Sequence, residues 1–303
     1  MRNYFAEALY NEAKQNTKIC VVVADISPAG SMQKFRAEFP DRFINCGVAE
    51  QSMIGIAAGL ALKGYRPFCY TIATFTLYRP FEMVRVDLCY QNLPVTIIGM
   101  GAGSIYSTLG GTHQSIEDIS IASSIPNMNV LAPCDPLEMK EATKWCATKN
   151  TGPVYMRLGK VGEPILTENA IDNFEFGKLR YIKKGSITAI LSYGVTTKLA
   201  KELNDEFKKK GQDCSLVSCH TLKPLDVEGI KNILNTHQKI IVIEEHVPHG
   251  GLSSRVKEIA QDLKINKEIK CFTLQDKFFH FYGNHDQLLD LHGLSLKKIL
   301  RKI

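Results

Sequence analysis

Residues 45–62 read NCGVAEQSMIGIAAGLAL. A short turn around Gly47 delivers one carboxylate, Glu50, to the start of a run whose small and apolar residues recur at helical spacing. The run closes at Gly64, a fitting helix C-cap. Upstream, ICVVVAD (19–25) reads as a buried strand; downstream, so do RPFCYTIA (66–73), LPVTIIGM (93–100) and NMNVLAP (127–133). Helical patterns fill the gaps: 78–92, 114–124, and 135–149, where Asp135 is placed to cap and Pro136 to open the first turn. Strands alternating with helices predict an α/β fold whose mostly parallel sheet is covered on both faces. Glu50 then stands where open α/β sheets place ligands, at a strand's C-terminal mouth. Taken alone, it is equally an acidic residue favoured by the helix dipole.

A second alternation follows residue 180. ITAILSYG, DCSLVSC, KIIVIEE and IKCFTL have strand patterns; VTTKLAKELNDEFKKKG, VEGIKNIL and GLSSRVKEIAQDL have helical ones. The boundaries expected are a first α/β domain over 1–165, a linker over 166–180 and a smaller α/β domain over 181–303. A chain of 303 residues has length for two cores. The net charge of +6 is spread along it, and its densest run, LKKILRKI, suits a helix C-terminus; basic residues interleaved with aromatic ones, the mark of a nucleic-acid module, are missing. Nine cysteines at irregular spacing, with no C-x-x-C pair, read as free thiols of a reducing compartment. With no apolar run long enough to span a bilayer and an N-terminus unlike a targeting peptide, a cytoplasmic location is expected.

Three further segments could carry chemistry. In YTIATFTLYRPFEMVR, Phe75, Tyr78 and Phe81 recur every third residue and could form one aromatic face, either core packing or a surface for a planar heterocycle. GMGAGSIYSTLGGTHQSIED brings Thr112-His113-Gln114 on a Gly-rich loop to a helix start, and histidine suits polar work near neutral pH. GPVYMRLGK ends a strand on Arg157, which could fork onto a phosphate or form an ion pair. His246 and His249 lack the repeated spacing of a metal site and read as a loop entering a helix.

Together and in this order, G-V-x-E-Q, T-F-x-x-x-R-x-x-E-x-x-R, G-x-T-H-Q, P-N-M-x-V-x-x-P-x-D and G-P-x-Y-x-R-L-G-K resemble the transketolase group of thiamine-diphosphate enzymes. The resemblance covers nearly the whole chain and is strongest to the separate C-terminal subunit found where transketolase is split in two. It implies a parallel-sheet pyrimidine-binding domain followed by a transketolase C-terminal-like domain. It implies that Glu50 contacts N1′ of the cofactor's aminopyrimidine from an apolar, dry pocket. Phe75, Tyr78 and Phe81 would line that pocket, with Tyr78 as the stacking ring, and Asp25 would lie close to the cofactor. His113 would meet the substrate oxygen near the reacting carbon; Arg157 and Arg2 would hold the sugar's phosphate end. The family's diphosphate and Mg²⁺ are held by a G-D-G motif with a downstream Asn, and no G-D-G occurs here. The resemblance therefore implies a partner chain that brings the metal site, in a heterotetramer with composite sites.

Some positions depart from the family. Leu109 stands where an aspartate reads a substrate hydroxyl, and Gly101 where a second histidine is usual. Ser27 and Ser31 flank Ala29 where a serine is expected, and FFHFYGNHD departs from F-G-x-S-G. Two-carbon ketol transfer from a ketose, or ketose phosphate, to an aldehyde is the leading expectation. Rivals are a specialised enzyme acting on an unusual or nucleotide-linked sugar for polysaccharide, a 2-oxo acid dehydrogenase β-type subunit, a deoxyxylulose phosphate synthase, and a non-catalytic scaffold.

Overall fold

A computed structural model describes residues 1–25, 31–160 and 162–303. The pair Ser27 and Ala29 thus lies outside the described residues. The strands are β1 Ile19–Val23, β2 Phe43–Asn45, β3 Arg66–Ile72, β4 Thr96–Met100, β5 Asn129–Leu131, β6 Val154–Leu158, β7 Arg180–Lys183, β8 Thr188–Ser192, β9 Cys214–Ser218, β10 Thr221–Lys223, β11 Lys239–Ile243 and β12 Glu268–Phe272. Seven of them form one sheet in the order β10-β5-β6-β4-β3-β1-β2; five form a second, β12-β11-β8-β9-β7. Pairing is parallel except at β10–β5 and β7–β9. Both halves are therefore α/β with parallel-rich sheets.

Every residue of β1, β4 and β6 is buried, as central parallel strands covered on both faces must be. Val21, Tyr70, Ile98 and Met156 face one core with Phe5 and Leu9 of the helix Arg2–Gln15 and Met139 of the helix Pro136–Thr148. Val22, Cys69, Ile97 and Tyr155 face the other, against Met53, Ile54 and Ala57 of the helix Glu50–Leu62. That second core runs on into the second sheet, taking in Leu191, Val217 and Val242. Strand β10 follows β7 to β9 in sequence, yet it completes the first sheet by pairing Thr221 with Leu131 and Lys223 with Val130. Among the described residues no helix is long and apolar enough to cross a membrane.

Residues 78–92 do not form the single helix expected. The chain has a helix at Ala73–Leu77, breaks at Tyr78–Pro80, takes a short turn Phe81–Met83 and goes on as a π-helix, Val84–Tyr90. Pro80 has no N–H to bond back to residue 76, so a continuous ladder is impossible there. The aromatic stripe fails for the same reason. Phe75 packs against the first core, whereas Tyr78 and Phe81 pack against the second.

Candidate functional site

Parallel register aligns the ends of the strands: Val23 with Asn45 and Tyr70, Ile72 with Met100, Met100 with Leu158. The loops that leave those ends carry Asp25, Glu50, Phe75, Gly101, His113 and Lys160 along one edge of the sheet, the edge where open α/β folds bind ligands. Asn45 shapes it locally, its Oδ1 accepting from the amides of Asp25 (3.1 Å) and Gly47 (3.0 Å). Asp25 is exposed and sits in the left-handed region at φ 54°.

Glu50 opens its helix and is 5% exposed. Burial is as expected of it, but the pocket is not purely apolar. Arg79 donates from Nη1 to Glu50 Oε1 at 2.8 Å, and among the described residues only that carboxylate oxygen carries a hydrogen bond. The Arg79 guanidinium also lies 4.0 Å from the Phe75 ring centroid. Phe75 in turn meets His113 edge-on, with centroids 5.1 Å apart at 68°. Glu50, Arg79, Phe75 and His113 thus form one chain of contacts. In the sequence Arg79 is only a position of the T-F-x-x-x-R-x-x-E-x-x-R run; its side chain is 49% exposed, and its reach to Glu50 follows from the chain break at Tyr78–Pro80.

The loop presenting His113 is fastened on several sides. Thr74 Oγ1 donates to Thr112 O (3.2 Å), Thr112 Oγ1 meets His113 Nδ1 (2.9 Å), and the His113 amide donates to Gly110 O (3.0 Å). Burial, and then the charge of Arg79, lower the His113 pKa below its ordinary value, so the imidazole is neutral near pH 7. With Nδ1 beside Thr112, Nε2 is the nitrogen available to a ligand. Tyr106 flanks the imidazole on another side at 6.0 Å, with Lys160 Nζ 5.1 Å from its ring centroid.

The remaining expected residues are placed differently. Tyr78 turns its hydroxyl toward the buried neighbourhood of Asp118 and Glu117; burial, then those two carboxylates, raise its pKa. Arg157 is no exposed phosphate hook. It is 6% exposed, its Nε lies 3.2 Å from Asp118 Oδ2, and its Nη2 donates to the carbonyls of Glu245 (2.9 Å) and Ser115 (3.3 Å). With those partners in the interior, it joins the two halves of the chain. Arg2 is half-buried on a hollow of about 440 Å³ shared with Asn3, Glu7, Tyr10 and Lys34. It acts electrostatically on the hydroxyls of Tyr70 and Tyr106. Leu109 is 49% exposed, its amide donating to Tyr106 O (3.0 Å).

Residues 1–161 match the family "Transketolase, pyrimidine binding domain", and residues 177–299 match "Transketolase, C-terminal domain". Over 302 residues the chain is 32% identical to one of the subunits of the apulose-4-phosphate transketolase of Phocaeicola vulgatus, covering 99% of this chain and 95% of that one. It is 34% identical to "Putative transketolase C-terminal section" of Methanocaldococcus jannaschii, covering 100% and 95%. It is also 33% identical to the "1-deoxy-D-xylulose-5-phosphate synthase" of Clostridium acetobutylicum, but spans only 48% of that protein's length. Among solved structures, "Split gene transketolase, inactive beta4 tetramer" superposes with a TM-score of 0.89 at 32% identity, covering 99% of this chain and 95% of that one.

Proposed function

The chain belongs to the transketolase family, carrying its pyrimidine-binding and C-terminal domains, and from that premise we propose that it is the pyrimidine-holding subunit of a two-chain, thiamine-diphosphate-dependent ketol transferase. The observation that carries this reading is the buried Glu50 carboxylate at the ligand-binding edge of the sheet, with Phe75 and His113 beside it. The residues fit the cofactor's aminopyrimidine. One carboxylate oxygen carries no hydrogen bond among the described residues, and the Phe75 ring supplies an apolar wall. When bound, the cofactor supplies the carbon nucleophile and the electron sink.

This chain's residues do the rest. Glu50 would hold a ring nitrogen of the pyrimidine through a shared proton, and its burial would keep water from competing for that proton. Arg79, 49% exposed at its side chain, holds the other carboxylate oxygen and so leaves the first one to the ring. His113, neutral and oriented by Thr112, hydrogen-bonds through Nε2 to the oxygen at the reacting carbon. Asp25, at the same edge, is assigned to the cofactor's side of the cleft. Tyr78 and Phe81 back the helix that carries Glu50. Arg2, with Lys34 nearby, is assigned to the anionic end of a phosphorylated sugar; Arg157 is not.

The partner supplies the diphosphate and Mg²⁺ site, in a heterotetramer with composite sites. Relatives of about this chain's length include one part of an apulose-4-phosphate transketolase and a split-gene transketolase, which supports a companion chain. A phosphorylated ketose is the donor class these relatives suggest. A specialised acceptor is the second reading, favoured by the exposed apolar Leu109. The test is Glu50→Gln, assayed after assembly with the companion chain. Transfer should fall at least about 100-fold while the complex still forms. Unchanged transfer by the variant would falsify the assignment.

A further inference from the structure

Gly101 has φ +66°, and a Cβ built on it would overlap the ring of Tyr106. The ring is fixed in that place. Its hydroxyl donates to Met100 Sδ at 2.9 Å, its edge meets His113, and Lys160 covers it from outside. The loop's serines turn away from the cleft: Ser104 is engaged by Glu245, and Ser107 donates to Gly283 O at 2.7 Å. Three residues beyond Tyr106, the same turn exposes Leu109, and Phe278 of the second domain lies against Gly111. On this side of His113 the loop therefore presents the Tyr106 ring, with the Lys160 ammonium 5.1 Å from its centroid, and the exposed side chains of Thr108 and Leu109.

Resting on the ketol-transfer reading, we propose that Tyr106 is a specificity-determining residue, whose ring occupies the volume of a side chain at position 101 and selects acceptors with a deoxygenated carbon facing it. A hydroxyl pressed against the Tyr106 ring loses its water without gaining a partner from it, because the ring's own hydroxyl is held by Met100. A methyl group there buries apolar area instead. A pocket of this kind discriminates by about 10- to 100-fold rather than absolutely.

The experiment uses the chain assembled with its companion chain, hydroxypyruvate as donor, and two acceptors that differ by one oxygen: glyceraldehyde and lactaldehyde. The wild type should favour lactaldehyde in kcat/KM by about 10- to 100-fold. Tyr106→Phe should keep that ratio, because it keeps the ring. Tyr106→Ala should lower it at least about 10-fold, mainly through the KM of lactaldehyde. The double variant G101H/Y106A should be as soluble and well folded as Y106A, whereas G101H alone should not, because only in the double variant does the new side chain have the ring's space. Product from both acceptors with a ratio that Y106A does not move overturns the role of Tyr106 and leaves ketol transfer standing. Failure of the wild type to make product from either acceptor, with hydroxypyruvate and with a ketose phosphate as donor, sinks the ketol-transfer reading and this inference with it.

Discussion

Glu50 and Arg79 form an unequal pair, with 6% of one side chain exposed and 49% of the other. Removing the arginine leaves the buried carboxylate without a hydrogen-bond partner among the described residues. Removing the carboxylate leaves Arg79 in water. Arg79→Met should therefore destabilise the chain by about 1–3 kcal/mol in urea unfolding, and Glu50→Gln in that background should recover part of the loss, a non-additivity that a double-mutant cycle measures. His113 gives a second handle on the same contacts. Burial and Arg79 lower its pKa, so its imidazole should titrate in NMR below the ordinary value of about 6.5. R79M should move that midpoint upward. Because the folded value is the lower one, stability tied to His113 is full above the unfolded pKa and declines as pH falls through the folded one. An unmoved midpoint in R79M would separate Arg79 from the imidazole.

Asp135 shows how much one element end can hold. Its Oδ1 caps the helix Pro136–Thr148 by accepting from the Glu138 amide at 2.7 Å. Its Oδ2 accepts from the amides of Leu166 (2.7 Å) and Thr167 (2.6 Å) and from the Thr167 hydroxyl (2.8 Å). Asp135→Ala should cost at least about 3 kcal/mol, a cap plus charge-assisted bonds, and should open the segment near Thr167 to limited proteolysis. The cap itself was legible as Asp-Pro before a helical pattern; its grip on a segment some thirty residues away was not. The same division recurs elsewhere. The long apolar strands β1, β3 and β4 announce themselves, because period and length are local properties. The three-residue strands β2 and β10 show no alternation, whereas β5, equally short, sits within the longer apolar stretch NMNVLAP. Tyr78 and Phe81 were placed on the wrong face beside Phe75 because spacing assumes an unbroken helix, and Pro80 breaks it. At Arg157 the sequence leaves a phosphate fork and an ion pair both open, because the counter-charge that decides between them, Asp118, is a neighbour only in space. Glu50 and His113 were legible as positions, whereas the Arg79 link between them needed the fold.

At the scale of the whole chain, the two halves meet through buried charge. Glu245, from the end of β11, accepts from the Ser104 amide (2.8 Å) and hydroxyl, and lies 2.6 Å from His285 Nε2, while its own carbonyl receives Arg157. Burial alone would push the Glu245 carboxyl up; His285, Arg157 and Ser104 outweigh it and hold it well below the ordinary range. Burial alone would lower His285; Glu245, helped by Asp286 and opposed by Arg157, raises it instead. The stability from Glu245 is present above its unfolded pKa and lost as pH falls toward its low folded value. That from His285 is present below about 6.5 and lost as pH rises through its elevated folded value. The junction is thus tightest in mildly acidic solution. Thermal midpoints should decline from pH 6 to pH 9, and His285→Gln should remove most of that slope; an equal slope in the variant would assign it to other groups.

The strand β10 has one more consequence, for the order in which the molecule can be made. On the ribosome, β1 to β6 emerge first, with the bonding groups of β5 unpaired along its outer side. Their partner is still to be translated, several seconds away at ordinary elongation rates of about 5–20 residues per second. Through that interval the nascent sheet presents an open edge to every neighbouring chain. Truncation anywhere before Thr221 would make the interval permanent. Synthesis of this protein is therefore a race between its own residues 221–223 and whatever strand arrives sooner.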